Sequence, residues 1–137
     1  MTRQELIAAL EAATEPSMGL SREIARHFGW INRGNARKGE WFRPSDTRDG
    51  EPVLDSLHGT DVYREPPHFS ASLDAAVTLV PEGANCHGYD YDPVNGYTAY
   101  WSRNYVSDRC TWIREGHHKT SGPIAYCIAA LRAMEDK

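Results

Sequence analysis

The amino-acid sequence predicts a single α+β domain in which a short antiparallel sheet lies between helices from the two ends of the chain. Three observations lead to this prediction. Apolar residues recur at helical spacing near both termini and again in the middle of the chain, and the stretch after the middle helix alternates in the manner of β-strands. A length of 137 residues corresponds to one domain.

Two helices are predicted within the first thirty residues. The first runs from Thr2 to Thr14, because Thr2 and Glu5 have the spacing of a capping box, in which each side chain accepts from the other residue's backbone N–H. The second is a short helix from Ser21 to Phe28, with Ser21 as its cap and a glycine at its end. The first helix has one apolar stripe, formed by Leu6, Ile7, Leu10 and Ala13.

A middle helix is predicted within the stretch Phe69–Gly83. Ser70 can cap this helix, because its hydroxyl can accept from a backbone N–H one turn further on. Pro81 and Gly83 end it, since proline has no N–H to donate and glycine tolerates positive φ. Its expected buried face consists of Leu73, Ala76, Val77 and Val80.

Three strands are predicted next, at Asn85–Tyr91, Tyr97–Arg103 and Arg109–Arg114. Asp92–Gly96 is expected to be the first turn, because Asn-Gly suits the left-handed positions of a hairpin. Strands in succession with short connections form an antiparallel meander. A period of two places three residues of the second strand on one face, namely Tyr97, Ala99 and Trp101.

The last element is a helix from about Pro123 to Met134, with Ser121 or Gly122 as its cap. Its apolar stripe is formed by Ile124, Cys127, Ile128, Leu131 and Met134.

The stretch Asn32–Pro67 is rich in glycine and proline, so only short strands or turns are expected there, around Trp41-Phe42 and Val53-Leu54, with an extended piece at 61–63. The first half of this stretch is locally basic and contains aromatic residues. One interpretation is that it binds single-stranded nucleic acid, with cations on the phosphates and rings on the bases. The alternative is a loop whose aromatic residues pack onto the domain. The net charge of −4 favours the alternative and disfavours nucleic acid as a partner.

Three segments together resemble the phage ABA-sandwich domain family, which comprises small proteins of tailed phages and prophages. They are LIAALEAATEPS at Leu6–Ser17, FSASLDAAVTLVPEG at Phe69–Gly83 and GPIAYCIAALRAME at Gly122–Glu135. The resemblance implies a three-layer α-β-α sandwich, a phage or prophage origin, and no established catalytic residues. The stretch at about 32–67 lies outside the resemblance and is expected to be an insertion particular to this chain.

The composition indicates where the protein acts. No apolar run approaches the roughly 20 residues that span a bilayer, and the charged N-terminus is not a signal peptide. We therefore expect a cytoplasmic protein, in the host cell, with no membrane association. Three cysteines without a C-x-x-C motif are expected to be free thiols in a reducing compartment.

Three combinations of side chains suggest metal binding, nucleophilic catalysis or acid–base catalysis. The potential zinc ligands are Cys86, His87, Cys110, His117 and His118. A zinc site needs four ligands in a tetrahedral arrangement. Adjacent residues of a strand point to opposite faces, and no pair among these residues has the spacing of a known zinc motif. A cysteine nucleophile lacks an activating environment. Asp90 and Asp92 fit a turn better than an acid–base pair. We therefore expect no catalytic residue, no metal and no cofactor.

The predicted meander is unusually dense in aromatic residues and arginines, the residue types enriched at binding hot spots. The candidate binding residues are Tyr91, Tyr97, Trp101, Arg103, Arg109, Trp112 and Arg114. Plain packing and edge protection is an equally good interpretation of the same residues.

The expected function is that of a non-enzymatic phage or prophage accessory protein that binds a host or phage protein, with counter-defence as one such role. The first alternative is an oligomer that sequesters a nucleotide-type signalling molecule in an arginine- and aromatic-lined pocket. The weaker alternative is a small hydrolase or nuclease.

Overall fold

The computed structural model of the chain describes residues 1–34, 38–53, 61–104 and 110–134. Its helices are α1 (Arg3–Ala12), α2 (Met18–His27), α3 (Leu73–Ala76) and α4 (Gly122–Ala133). Its strands are β1 (Ile31–Asn32), β2 (Trp41–Phe42), β3 (Thr47–Arg48), β4 (Glu51–Pro52), β5 (Cys86–Asp92), β6 (Gly96–Asn104) and β7 (Cys110–His118). Among the described residues, no helix has the length and hydrophobicity that crossing a membrane requires.

The predicted α+β class and the antiparallel meander packed against helices are confirmed. Strands β5, β6 and β7 pair in that order, each antiparallel to the next. The third strand extends four residues beyond the predicted end at Arg114, because Glu115–His118 continue to pair with Tyr97–Tyr100. The predicted face is also correct, since Tyr97, Ala99 and Trp101 alternate with residues of the opposite face.

The order of the layers differs from the expected sandwich. Helix α4, and not the sheet, lies in the middle: it packs on β6 and β7, and α1 and α3 also pack on it. The reason is that α4 is apolar on almost all of its faces. It is buried from Ile124 to Leu131, so other elements pack against it on every side. Part of the other face of the sheet is exposed, since Asp90, Glu115 and His117 lie there with their side chains open to solvent.

Helix α4 approaches the sheet closely at Gly116 of β7. A Cβ atom at this position would overlap the carbonyl oxygen of Ala125 and would lie 2.5 Å from the backbone nitrogen of Ala129. Two small residues on the helix and a glycine on the strand therefore set the spacing between the two layers.

The turn between β5 and β6 forms largely as predicted. Asp92 accepts from the backbone nitrogen of Val94 at 2.8 Å and from Asn95 Nδ2 at 3.0 Å. Only Gly96 adopts the left-handed conformation, with φ of 84°. These hydrogen bonds lower the pKa of Asp92, which acts as a turn residue and not as half of an acid–base pair.

The helix caps are partly as predicted. Thr2 accepts from Glu5 N in α1, and Ser121 accepts from Ile124 N in α4. Helix α2, however, begins at Met18 with Ser17 as its cap, so the prediction of Ser21 as the cap is wrong. Ser21 is fully buried inside α2 and hydrogen-bonds to Ser70 Oγ at 2.8 Å.

The middle helix is a single turn, shorter than predicted. Ser72 caps α3 by accepting from Ala75 N at 3.2 Å, whereas Ser70 is buried in contact with α2. The predicted apolar face is only half correct: Ala76 is buried and Val77 packs against the core, but Leu73 and Val80 are exposed. The buried apolar positions that replace them are Phe69 and Leu79.

The stretch between α2 and α3 contributes to the same core. Strand β2 pairs with β1, and Trp41 also forms a bridge with Tyr63 in the predicted extended piece. Trp41 is 1% exposed and Phe42 is 7% exposed, so neither ring is available for stacking on nucleic-acid bases. The strand predicted at Val53-Leu54 is instead β4, and Leu54 lies outside the described residues.

His118, the last residue of β7, links the sheet to both terminal helices. It is 6% exposed. Its Nδ1 accepts from the backbone nitrogens of Thr120 and Ser121, so its Nε2 is the atom that donates, to the carbonyl of Ala13 at 2.7 Å.

Candidate functional site

The candidate residues of the meander lie on the face that carries α4. The register places Tyr91 opposite Tyr97, Arg103 opposite Trp112 and Trp101 opposite Arg114. Arg109 lies outside the described residues. Because α4 covers the middle of this face, the remaining candidates separate into an aromatic group at one end and an arginine–tryptophan group at the other.

Trp101 separates the two groups and belongs to the core. It is 2% exposed, and its ring lies 6.0 Å from that of Tyr126 on α4. Its indole nitrogen is buried and has no hydrogen-bond partner among the described residues. The prediction of Trp101 as a binding residue is therefore wrong, since a binding partner cannot reach a ring that α4 covers.

We use the name aromatic edge for the first group, which consists of His87, Tyr89, Tyr91 and Tyr97. Tyr89 is 49% exposed and Tyr91 is 59% exposed, although both are large aromatic residues. Both rings pack against half-buried Tyr97, with centroids 6.2 Å and 4.8 Å away respectively. The tyrosines are thus held in place by one another while one side of each remains open to solvent.

Helix α4 supports the aromatic edge through Tyr126. The Tyr126 hydroxyl and His87 Nδ1 are hydrogen-bonded at 3.0 Å, and the Tyr126 ring contacts Tyr89 edge-on at 6.2 Å. Burial, with smaller contributions from Tyr100 and Tyr89, raises the pKa of Tyr126 to about 12, so its phenol stays protonated at neutral pH. Tyr126 therefore orients His87 and Tyr89 as a neutral partner.

The alternation of residues along β5 predicts three members of the aromatic edge. His87, Tyr89 and Tyr91 share one parity along β5 and so share one face. This alternation adds His87 and Tyr89 to Tyr91, which is the member of these three that the aromatic density of the meander indicates. The contribution of Tyr126 could not be recognised, because a tyrosine within an apolar helix carries no sign of which strand it contacts.

Strand β5 is also an edge of the sheet. Within the described ranges it pairs with β6 alone, so alternate N–H and C=O groups on its other side have no strand partner there. The same segment carries Asp90 and Asp92, and no lysine or arginine occurs from Cys86 to Ser102. The edge thus combines open backbone groups, exposed tyrosines and negative charge.

The second group is the arginine–tryptophan end, formed by Arg103, Trp112 and Arg114. The guanidinium carbons lie over the Trp112 ring, 5.6 Å from its centroid for Arg103 and 4.9 Å for Arg114. Arg103 Nε also donates to the carbonyl of Gly83 at 2.8 Å. Cation–π contacts of this kind hold an arginine in a fixed orientation.

A cleft of about 670 Å³ opens beside Arg103 and Trp112. It is lined by His27, Phe28, Gly29, Val80, Pro81, Glu82, Arg103, Trp112, Ala133 and Met134. Helices α2 and α4 both end at this cleft, and the C-terminal end of a helix carries partial negative charge. Together with Glu82, the helix ends offset the positive charge of Arg103, so the cleft is mixed in charge.

Metal binding and nucleophilic catalysis both depend on how side chains are grouped and exposed in the described part of the chain. No group of three metal-ligating side chains is found there. Cys127 is fully buried, which raises the pKa of its thiol. Ser21 Oγ lies 2.8 Å from His68 Nδ1, but Ser21 is inaccessible to a substrate because it is fully buried.

Comparisons of the chain with protein-family models, with curated protein sequences and with solved structures give no match. The resemblance to the phage ABA-sandwich family therefore stays a prediction that depends on the three quoted segments.

Proposed function

We propose that the protein is a non-enzymatic phage or prophage accessory protein that acts in the host cytoplasm by binding a host or phage protein through the aromatic edge. The observation that carries this proposal is that Tyr89 and Tyr91 are about half exposed on an edge strand while their rings are fixed against Tyr97.

The arrangement suits protein recognition for a physical reason. A tyrosine whose ring is already ordered loses little conformational entropy on binding and contributes a large amphipathic contact area. Such residues are typical hot spots when a partner excludes water around them. An edge strand adds backbone hydrogen-bonding groups to the same surface.

The experiment that tests this proposal is affinity capture of a partner from lysates of phage-infected bacteria, comparing the wild-type chain with the Tyr89→Ser/Tyr91→Ser double variant. We expect one protein to be retained by the wild type and lost with the double variant. Val62→Ser is the matched control, because Val62 is equally exposed, at 56%, and belongs neither to the aromatic edge nor to the lining of the cleft. Equal retention by wild type and double variant would refute the proposed surface.

Counter-defence is tested in the same variants. Phage plating is measured on bacteria that carry defined defence systems and express the wild-type chain or the double variant. If the chain acts as a counter-defence protein, the wild type and the Val62→Ser control restore plating and the double variant does not.

The second candidate is sequestration of a nucleotide-type molecule, and the cleft beside Trp112 is the specific observation that favours it. Trp112 and Arg103 both line this cleft, and an indole can stack on a base while an arginine binds phosphate. Thermal-shift measurements with cyclic and linear nucleotides test it, since a ligand that binds only the folded state raises the melting temperature. A response that Trp112→Ala abolishes supports sequestration, and no response to any nucleotide excludes it.

A further inference from the structure

We infer that strand β5 binds an extended segment of the partner protein in which basic and apolar side chains alternate, so that the segment becomes a fourth strand of the sheet. This inference rests on the proposed function and names the chemistry of the partner segment.

The backbone of β5 determines the extended conformation of the segment. An added strand can satisfy the N–H and C=O groups on the side of β5 that faces away from β6. The strand is seven residues long, from Cys86 to Asp92, which is enough for several backbone hydrogen bonds.

The two faces of β5 determine the alternation. On the α4 face, a partner side chain would lie beside Tyr89 and Tyr91, where aromatic rings pair well with β-branched residues. On the opposite face, it would lie beside Asp90, which is exposed, and beside Gly88, which presents no side chain of its own. Successive partner residues therefore meet an aromatic surface and an acidic surface in turn.

Charge complementarity selects a basic segment over a second copy of this chain. Asp90 and Asp92 are the acidic groups of β5, and the first arginine or lysine after Cys86 in the sequence is Arg103. If two copies of β5 paired with each other, Asp90 and Asp92 of both chains would lie close together. Like charges on neighbouring strands repel, so this pairing is unfavourable. A lysine or arginine opposite Asp90 instead gains an attractive cross-strand pair.

The test uses three synthetic peptides with blocked ends and the full-length protein. The first peptide alternates lysine and valine over seven residues, the second replaces each lysine by glutamate, and the third has the composition of the first in a non-alternating order. Affinities are measured by fluorescence anisotropy, and the site is located by NMR shifts of ¹⁵N-labelled backbone amides.

We expect the alternating lysine peptide to bind tightest and to shift the amides of β5 more than those of β7. Asp90→Lys should reverse the preference between the lysine and glutamate peptides, by about fivefold in each direction, as one cross-strand charge pair allows. Glu115→Lys is the matched control: it makes the same charge change on the same face, two strands away, and should keep the wild-type preference.

Two results would overturn the inference. One is equal binding of the alternating and non-alternating lysine peptides, which would indicate charge attraction without strand addition. The other is a dimer in sedimentation experiments that Tyr89→Lys dissociates, which would assign the edge to a second copy. If partner capture still depends on Tyr89 and Tyr91 in either case, the proposed function stands and only the partner chemistry is wrong.

Discussion

Gly116 shows how a single residue sets the distance between the sheet and α4. Its position opposite Ala99 places it under the middle of the helix, where Ala125 and Ala129 are also small. A methyl group there meets backbone atoms of α4, which cannot rotate away as a side chain could.

We predict that Gly116→Ala lowers the free energy of unfolding by about 3 kcal/mol, since overpacking a tight contact forces the backbone to shift. The measurement is urea unfolding followed by circular dichroism. Gly19→Ala is the matched control: Gly19 is an exposed residue of α2 with space for a methyl group, so alanine there should stabilise the protein by about 0.5–1 kcal/mol. Equal changes in the free energy of unfolding for Gly116→Ala and Gly19→Ala would contradict a tight contact between Gly116 and α4.

Tyr126 leads to a prediction about pH. Its folded-state pKa of about 12 is above the ordinary value of 10.0, so the fold favours the protonated phenol. This contribution to stability is complete below pH 10 and is lost as the pH rises through about 12. Tyr126→Phe removes the ionisable group.

The free energy of unfolding of the wild type should therefore fall more steeply than that of Tyr126→Phe between pH 10 and 12, as measured by urea unfolding at stepped pH. Tyr91→Phe is the control, because it makes the same chemical change at a tyrosine that is 59% exposed. Parallel curves for wild type and Tyr126→Phe would show that burial does not perturb the phenol.

At the scale of elements, a hydroxyl network joins α2 to the segment before α3. Ser70 Oγ donates to the carbonyl of Ser17 at 2.9 Å, and the backbone nitrogen of Ser70 donates to Ser21 Oγ at 3.0 Å. Both Ser21 and Ser70 are fully buried. The sequence assigned each of them to a helix cap, but the caps are Ser17 and Ser72.

We predict that Ser70→Ala lowers the free energy of unfolding by about 2–3 kcal/mol, because it leaves buried polar groups of α2 without partners. Ser72→Ala should cost about 1 kcal/mol, which is typical of losing the N-cap of a helix. Urea unfolding of both variants tests the ranking. A larger loss for Ser72→Ala would mean that capping, and not the buried network, dominates this segment.

The elements themselves were largely predictable, because their signals are local. The capping residues Thr2 and Ser121, the glycine of the β5–β6 turn and the period-two alternation of β6 each define a boundary or a face within a few residues. The single-turn length of α3 was not predictable from its apolar spacing, because Val80 has the periodicity of a buried residue but lies at the surface.

At the scale of the whole molecule, the order of layers depends on contacts that no local pattern encodes. The apolar stripe of α4 indicated one buried face, yet Ala125, Ala129 and Ala130 on its other faces are buried as well. Alanine fits both a buried and an exposed helix face, so the sequence could not show that α4 lies between the sheet and the other helices. For the same reason, the division of the candidate residues into two separate surfaces appears only in the structure.

That division gives the last prediction, which concerns the independence of the two surfaces. The aromatic edge and the arginine–tryptophan end lie at opposite ends of the face that α4 covers, with buried Trp101 between them. Distant sites that share no partner have additive effects. Tyr91→Ser should therefore weaken partner capture without changing any nucleotide-dependent melting shift, and Trp112→Ala should do the reverse.

The measurement is capture and thermal shift on wild type, both single variants and the double variant. Losses that are each confined to one assay are the expected outcome, because buried Trp101 separates the two ends and each end makes its own contacts. A single variant that removes both activities would show that the two ends act as one site, and that a partner reaches across α4 to bind both.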